Sequence, residues 1–399
     1  MRVSRPAGLL RSFPAFRALW VSRAVSFTGD GVARVALVLL TARSGPGAVG
    51  LVLLANTLPR LLGPVAGAIA DRVDQRRLMI GCELGHAAAY TVLAVLTPPL
   101  PVLLPVVAAA ALLATVFTPA GKSSVPQLVP EGRLPQANAL LGVAFNLQIV
   151  AGPALGGVLV GFAGTRPAFA ADAASFIASA LLLARVPALP PPSARSERGV
   201  LADTAAGLSY VAHRPVMRAL AIGTLLFVSF AAIDNVALVF LVRDRLHGSQ
   251  SEYGIAVAAF GVGMLLASLA LTRFGDRQPP RRWLLAGVLG GTVGTGGTAL
   301  APTPALAMAG QILAGAGNTA DLVATDTLIQ QLVPRPLLGR AFGAVATAAQ
   351  IGSAIAYLSG AALVAATGAR TALLVSAAGM TLGLAALKPV IRHRPEPQR

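Results

Sequence analysis

Residues 67–77 read GAIADRVDQRR. An apolar run that begins near residue 46 stops at Ala70, five of the next seven residues are charged, and a second apolar run opens at Leu78. Charges so dense have no place in the hydrocarbon core of a bilayer, so this stretch reads as an aqueous loop joining two membrane-crossing helices. The same grammar recurs at 276–282 as DRQPPRR, and QLVP at 127–130 returns at 331–334 after nearly the same interval. Two echoes in the same order argue for a duplicated chain whose halves are related by an axis along the membrane normal.

Outward from this loop, apolar windows long enough for a tilted helix of about 20 residues fall at 17–42, 46–70, 78–97, 100–119, 138–162, 168–186, 216–241, 253–273, 283–301, 304–328, 340–364 and 369–388. The predicted fold is therefore an all-α integral membrane protein with twelve transmembrane helices in two pseudo-symmetric six-helix bundles, 1–186 and 216–399. Between them lies 187–215, opening with a proline run and continuing with an amphipathic pattern at Leu201, Ala205, Leu208 and Val211. Arg195, Glu197, Arg198 and Asp203 exclude it from the bilayer, so it reads as a cytoplasmic linker.

Composition agrees: 55% of the 399 residues are hydrophobic and 12% charged, where a soluble chain carries about 25% charged residues. The net charge of +17 would suggest nucleic acid in a soluble protein, but here the arginines stand between apolar runs, where they meet anionic lipid headgroups. Nucleic-acid binding is not expected. Arg72, Arg76, Arg77, Arg277, Arg281 and Arg282 fall in loops on one side, while the opposite loops hold only Arg43, Arg166, Arg243, Arg245 and Arg370. Lys and Arg resist translocation, which predicts that both termini are cytoplasmic. The single cysteine, Cys82, permits no internal disulfide, and the arginine-rich start runs into the first span without a small-residue cleavage site.

The pattern Gly67, Asp71, Arg72, Arg76, Arg77 between the second and third spans resembles the signature of the major facilitator superfamily. Gly29-Asp30, Thr118-Pro119-Ala120, Pro126-Gln127-Leu128-Val129-Pro130 and Ala137-Asn138-Ala139-Leu140 resemble the twelve-span drug:proton antiporter branch that includes macrolide and siderophore exporters. The resemblance implies that Gly67, Asp71, Arg72, Arg76 and Arg77 form a conformational latch, Asp71 accepting from a helix N-terminus and the arginines binding carboxylates or lipid phosphates. Asp276 and Arg277 form the second copy, with Thr272 in place of the glycine. Gly152, Pro153, Gly156 and Gly157 in the fifth span are similar to part of an exporter-associated motif: Pro153 bends the helix, and the glycines permit close helix packing.

Ionisable residues at membrane depth face a cavity or a partner. Asp30, midway along the first span, is the candidate for coupling a proton to a conformational change; the competing reading is a structural ion pair with Arg34 or Arg60. Asp234 beside Asn235 is its counterpart in the second half, and Asp321 with Asn318 on the tenth span has similar standing. Glu83 and His86 read as a buried structural pair, and Asp172 as a helix-start or gate contact. Asn146, Gln148, Gln311, Gln350 and Tyr357 add sparse polar lining, and Phe27, Phe117, Phe227 and Phe230 offer apolar contact, which suits a lipophilic or amphipathic solute.

The chain has no Walker-type phosphate loop, His-Glu-x-x-His, Cys-x-x-Cys or Gly-x-Ser-x-Gly, so ATP hydrolysis and catalysis are not expected, and no metal or cofactor is required. The expectation is a monomeric secondary transporter using a proton gradient to export drugs or secondary metabolites by alternating access. An importer or lysolipid transporter of the same fold, or a non-transporting scaffold, stands as the alternative. High Ala, Gly, Arg and Pro content with only two lysines suggests a GC-rich bacterial genome, hence the bacterial plasma membrane.

Overall fold

The computed structural model describes residues 7–70, 72–191, 213–334 and 337–387. Among these residues every regular element is a helix. Ten helices are long and apolar enough to cross a bilayer, and each coincides with a predicted window. The other two windows are also helical. Residues 46–70 form Pro46–Thr57, a tighter turn Leu58–Leu62, and Gly63–Ala70; Pro59 and Pro64 each lack the N–H that would continue the ladder. Residues 304–328 lie within Pro304–Leu332, where Gln311, Asn318, Asp321 and Asp326 dilute the apolar character. The predicted amphipathic segment of the linker lies outside the described residues.

The chain forms two compact units: Met1–Arg43, Ala55–Glu197 and Ser249–Ala258 make the first, and Ser44–Leu54, Arg198–Gly248 and Ala259–Arg399 the second. In the first, the first span (Pro14–Thr41) opens with a proline at its first helical position, where no ladder donor is lost. It packs with the fourth (Leu100–Leu128), the fifth (Leu134–Ile149 and Ala151–Ala163) and the sixth (Thr165–Leu183), and the third (Gln75–Leu96) packs on the fourth and sixth. The fifth span is interrupted at Val150 because Pro153 cannot donate to the carbonyl of Ile149. A short helix, Ala7–Ser12, precedes the first span and buries Leu9.

The second unit contains the seventh span (Pro215–Ala231 and Asp234–Phe240), most of the eighth (Gln250–Phe274), the ninth (Pro280–Leu300), the tenth, the eleventh (Leu338–Thr367) and the twelfth (Ala369–Met380 and Leu382–Ala386). The seventh breaks at Ala232-Ile233, where tighter bonds from Ile233 N to Phe230 O (3.1 Å) and from Val236 N to Ile233 O (3.0 Å) take over. Asp234 opens the helix that resumes, an acid placed favourably in a first turn.

The duplication is plainest in the cores. Phe16 and Leu220, Ala120 and Ala324, Val125 and Ile329, Val129 and Val333, Ala137 and Ala341, and Leu183 and Leu387 are buried pairs, all separated by one constant interval. Gly164 and Gly368 stand at that interval too, each ending a helix at φ 85°, with its N–H on the carbonyl of Val160 or Val364 at 2.9 Å. Two residues on, Arg166 donates to Thr97 Oγ1 at 3.1 Å, and Arg370 donates to the carbonyls of Ala299 (2.9 Å) and Ala301 (3.2 Å). The same turn is thus pinned by the same residue type in each unit.

Candidate functional site

In the first unit glycines set the geometry. A methyl group on Gly152 would sit 2.6 Å from the Cα of Gly31, and one on Gly156 2.9 Å from the Cα of Val32, so the first and fifth spans cross backbone to backbone. That approach carries Gln148 to Asp30: its Nε2 donates to Asp30 Oδ2 at 3.3 Å. Gly157 faces elsewhere, toward Gly254, whose Cα lies 2.7 Å from the position its Cβ would take.

Arg34, expected as the partner of Asp30, is exposed, and among the described residues no ion pair joins the two. On a helix that faces neighbours on several sides, the i+4 position need not point inward with its acid. Arg60 donates to Asn56 Oδ1 at 3.0 Å on its own span. The half-buried arginine of the first span is instead Arg23. Arg23 was not among the sequence candidates, although it lies two turns before Asp30. It pairs with Glu83 Oε1 at 3.4 Å, and its guanidinium carbon lies 4.0 Å from the Phe27 ring centroid and 4.2 Å from that of Phe117. Phe27 in turn meets the Phe145 ring edge-on at 5.5 Å. A desolvated guanidinium on an aromatic face gains about 2 kcal/mol, which with the Glu83 pair offsets a burial cost of about 2.5–3.5 kcal/mol on insertion scales.

Glu83 therefore belongs to Arg23 rather than to His86. His86 Nδ1 bonds the carbonyl of Cys82 at 2.8 Å, and its ring stacks on Phe176 at 4.6 Å. Glu83 is 1% exposed, and its Oε2 has no partner among the described residues. Asp172 lies two turns inside the sixth span, not at its start, and is fully buried against the backbone of Gly29 and the side chain of Ser175. It belongs to the interior of the unit, not to a helix cap.

In the second unit Asp234 stands where Asp30 stands in the first, at the interval that separates the paired core residues. Gln311 Nε2 donates to Asp234 Oδ1 at 3.0 Å and reaches Thr298 Oγ1 at 3.4 Å. Asn235 Nδ2 turns back to the carbonyl of Ala232 at 3.4 Å, bridging the helix break. Asn318 and Asp321 lie half-buried one turn apart on the tenth span. That span approaches the ninth so closely that a methyl group on Gly287 would fall 2.8 Å from the Cα of Asp321.

Of the predicted latch, Asp71 and the side chain of Asp276 lie outside the described residues. Gly67 has open space where a Cβ would go, and Arg72 and Arg77 are exposed. Arg76, expected on a carboxylate or a lipid phosphate, instead donates to the carbonyls of Ala184 (2.6 Å) and Leu183 (3.3 Å), closing the end of the sixth span. The Leu183 carbonyl also accepts from Val186 N at 3.0 Å, and carbonyls at a helix end are standing acceptors for an arginine. Arg277 lies over the Phe274 ring at 4.7 Å. Asp74, which sequence reading passed over, accepts from Arg77 N at 2.9 Å and Leu189 N at 3.0 Å, tying the root of the linker to the loop between the second and third spans. Among the described residues no group of His, Cys, Asp and Glu could hold a metal ion.

A family described as transmembrane secretion effector, within the major facilitator superfamily, matches residues 9–395. The chain is similar to the multidrug efflux pump Tap of Mycolicibacterium fortuitum, 29% identical over 80% of this chain and 82% of that protein. It is also similar to the enterobactin exporter EntS of Shigella boydii, 26% identical over 94% of this chain and 90% of that one. Among solved structures the nucleoside transporter NupG superposes with a TM-score of 0.76 at 13% identity, covering 95% of this chain and 100% of that one.

Proposed function

This chain belongs to the transmembrane secretion effector family of the major facilitator superfamily, and from that premise we propose that it is a proton-coupled exporter of lipophilic or amphipathic small molecules. It is a multi-pass membrane transporter of small molecules and not an enzyme. The finer reading places it in the bacterial plasma membrane with both termini cytoplasmic, working as a monomer by alternating access and drawing on a proton gradient without a cofactor.

The observation that carries this reading is the repeated carboxylate. Asp30 and Asp234 occupy the same place in the two copies of the repeat, each within a span and each held by the carboxamide of a glutamine, Gln148 or Gln311. An amide donor steadies a carboxylate without neutralising it, so the group remains available to a proton or a cationic substrate. Phe27 and Phe117 against Arg23, with Phe145 edge-on to Phe27, support an aromatic or lipophilic solute. Efflux by Tap and EntS supports export over import. The latch reading of Gly67, Asp71, Arg72, Arg77, Asp276 and Arg277 is part of the same proposal, with Arg76 reassigned to the end of the sixth span.

The test is a compound-susceptibility panel in an efflux-deficient bacterial host expressing the wild type or Asp30→Asn, with membrane levels of both measured. Tolerance raised by the wild type alone supports export that depends on Asp30. Equal susceptibility of wild-type and empty-vector cells across the panel counts against a broad drug exporter.

A further inference from the structure

We propose that Asp172 is a second protonation site of the first unit, distinct from Asp30, whose carboxylate takes up one proton to become a neutral carboxyl group and releases it again. This deepens the proton-coupled reading above and rests on it.

Three observations converge. Asp172 is 0% exposed, yet its carboxylate is poorly served: Oδ1 shares the one Ser175 hydroxyl proton, at 3.1 Å, with Asp172's own main-chain carbonyl at 2.8 Å, while Oδ2 has no hydrogen-bond partner among the described residues. A fully buried carboxylate with a bare oxygen is a poor resting state, and a proton on that oxygen removes the charge without any movement of the backbone.

The groups around it supply no compensating cation. The first span presents Asp30 and Arg23, and the third presents Glu83, His86 and Tyr90; the second half of the fifth span, 151–163, carries no ionisable residue. Arg23 is engaged by Glu83, and Asp30 and Glu83 are themselves acids. His86 is committed to the Cys82 carbonyl.

The duplication then provides an internal control. At the interval that pairs the two cores, the counterpart of Asp172 is Ser376, also 0% exposed, whose hydroxyl donates to the carbonyl of Phe230 at 2.7 Å. A neutral side chain fills this slot with its hydrogen bonding complete, so the architecture itself does not require a carboxylate there. Gly29 completes the arrangement: Asp172 and Ser175 occupy the space where any side chain at position 29 would go, which sets Asp172 against the main chain directly before Asp30.

The experiment is infrared spectroscopy of the purified full-length protein in lipid nanodiscs, at low and high pH, in water and in deuterium oxide. The wild type is compared with Asp172→Ser, Asp172→Asn and Asp30→Asn. The expected result is a protonated-carboxyl stretching component in the wild type that shifts on deuteration and is lost as pH rises. Both Asp172 variants lack it and Asp30→Asn retains it. Asp172→Ser introduces the residue the second unit already uses, and helical content by circular dichroism verifies its fold. A component unchanged in both Asp172 variants overturns the proposal. Failure of the export reading appears elsewhere, as wild-type cells no more tolerant than empty-vector cells, so the two ideas fall separately.

Discussion

The first unit sets its central carboxylate before a layer of ionisable side chains, and the second sets the matching carboxylate before a layer of glycines. At the repeat interval Arg23 answers to Phe227, Glu83 to Gly287, His86 to Gly290, Tyr90 to Gly294 and Asp172 to Ser376. In the second unit those glycines let the ninth and tenth spans meet through their backbones: a methyl group on Gly290 would lie 3.2 Å from the Cα of Gly317, and one on Gly294 2.7 Å from the Cα of Ala314. One scaffold has thus been used in two ways. Side-chain volume and charge fill the first copy, and close helix packing fills the second, while Asp30 and Asp234 keep their places.

The largest expected effect separates the two carboxylates. Asp30→Asn should abolish the tolerance the wild type confers, and Asp234→Asn should reduce it, because the first span also carries the half-buried Arg23 where the second unit has Phe227. Equal loss in both, read as growth inhibition across the compound panel, would break the asymmetry. Next comes Arg23→Leu, which strands Glu83 as a buried charge and should cost about 3–5 kcal/mol. Thermal unfolding in detergent measures it. Transplanting both second-unit residues, Arg23→Phe with Glu83→Gly, should recover part of that loss.

Smaller effects test the glycine layer. Gly294→Ala forces a methyl group onto the tenth span and should destabilise by about 1–3 kcal/mol. Gly164→Ala and Gly368→Ala should each cost about 1–3 kcal/mol, and by the same amount as one another, since both hold a backbone conformation closed to other residues. Unequal costs there would show that the shared frame has drifted. At the bottom of the scale, Gly81→Ala meets nothing within 4 Å on the third span and should stabilise by roughly 0.5–1 kcal/mol through helix propensity.

The architecture was legible because hydrophobic runs of span length and charged loops between them leave little choice in a bilayer. The two short echoes disclosed the duplication, and Asp30 and Asp234 were identifiable as acids within apolar windows. What the sequence hid depended on rotation about helix axes and on contacts across many residues. Arg34 is closer in sequence to Asp30 than Arg23 is, and local spacing favoured it, but it is exposed whereas Arg23 is held between two aromatic rings. Asp172 looked like a helix start because the sixth window was drawn from residue 168, while the helix begins at Thr165. Asp74 and Arg76 sat inside a motif whose charges suggested lipid, and their backbone partners at 183–189 lie too far along the chain for any pattern to reveal.

Gly164 and Gly368 hold one and the same bend in the two copies of the repeat. A dihedral angle is a slow-changing record: many side chains can be exchanged around it, but the residue that holds it can scarcely change. The repeat in this chain is therefore recorded more faithfully by its two matching bends than by its few matching letters.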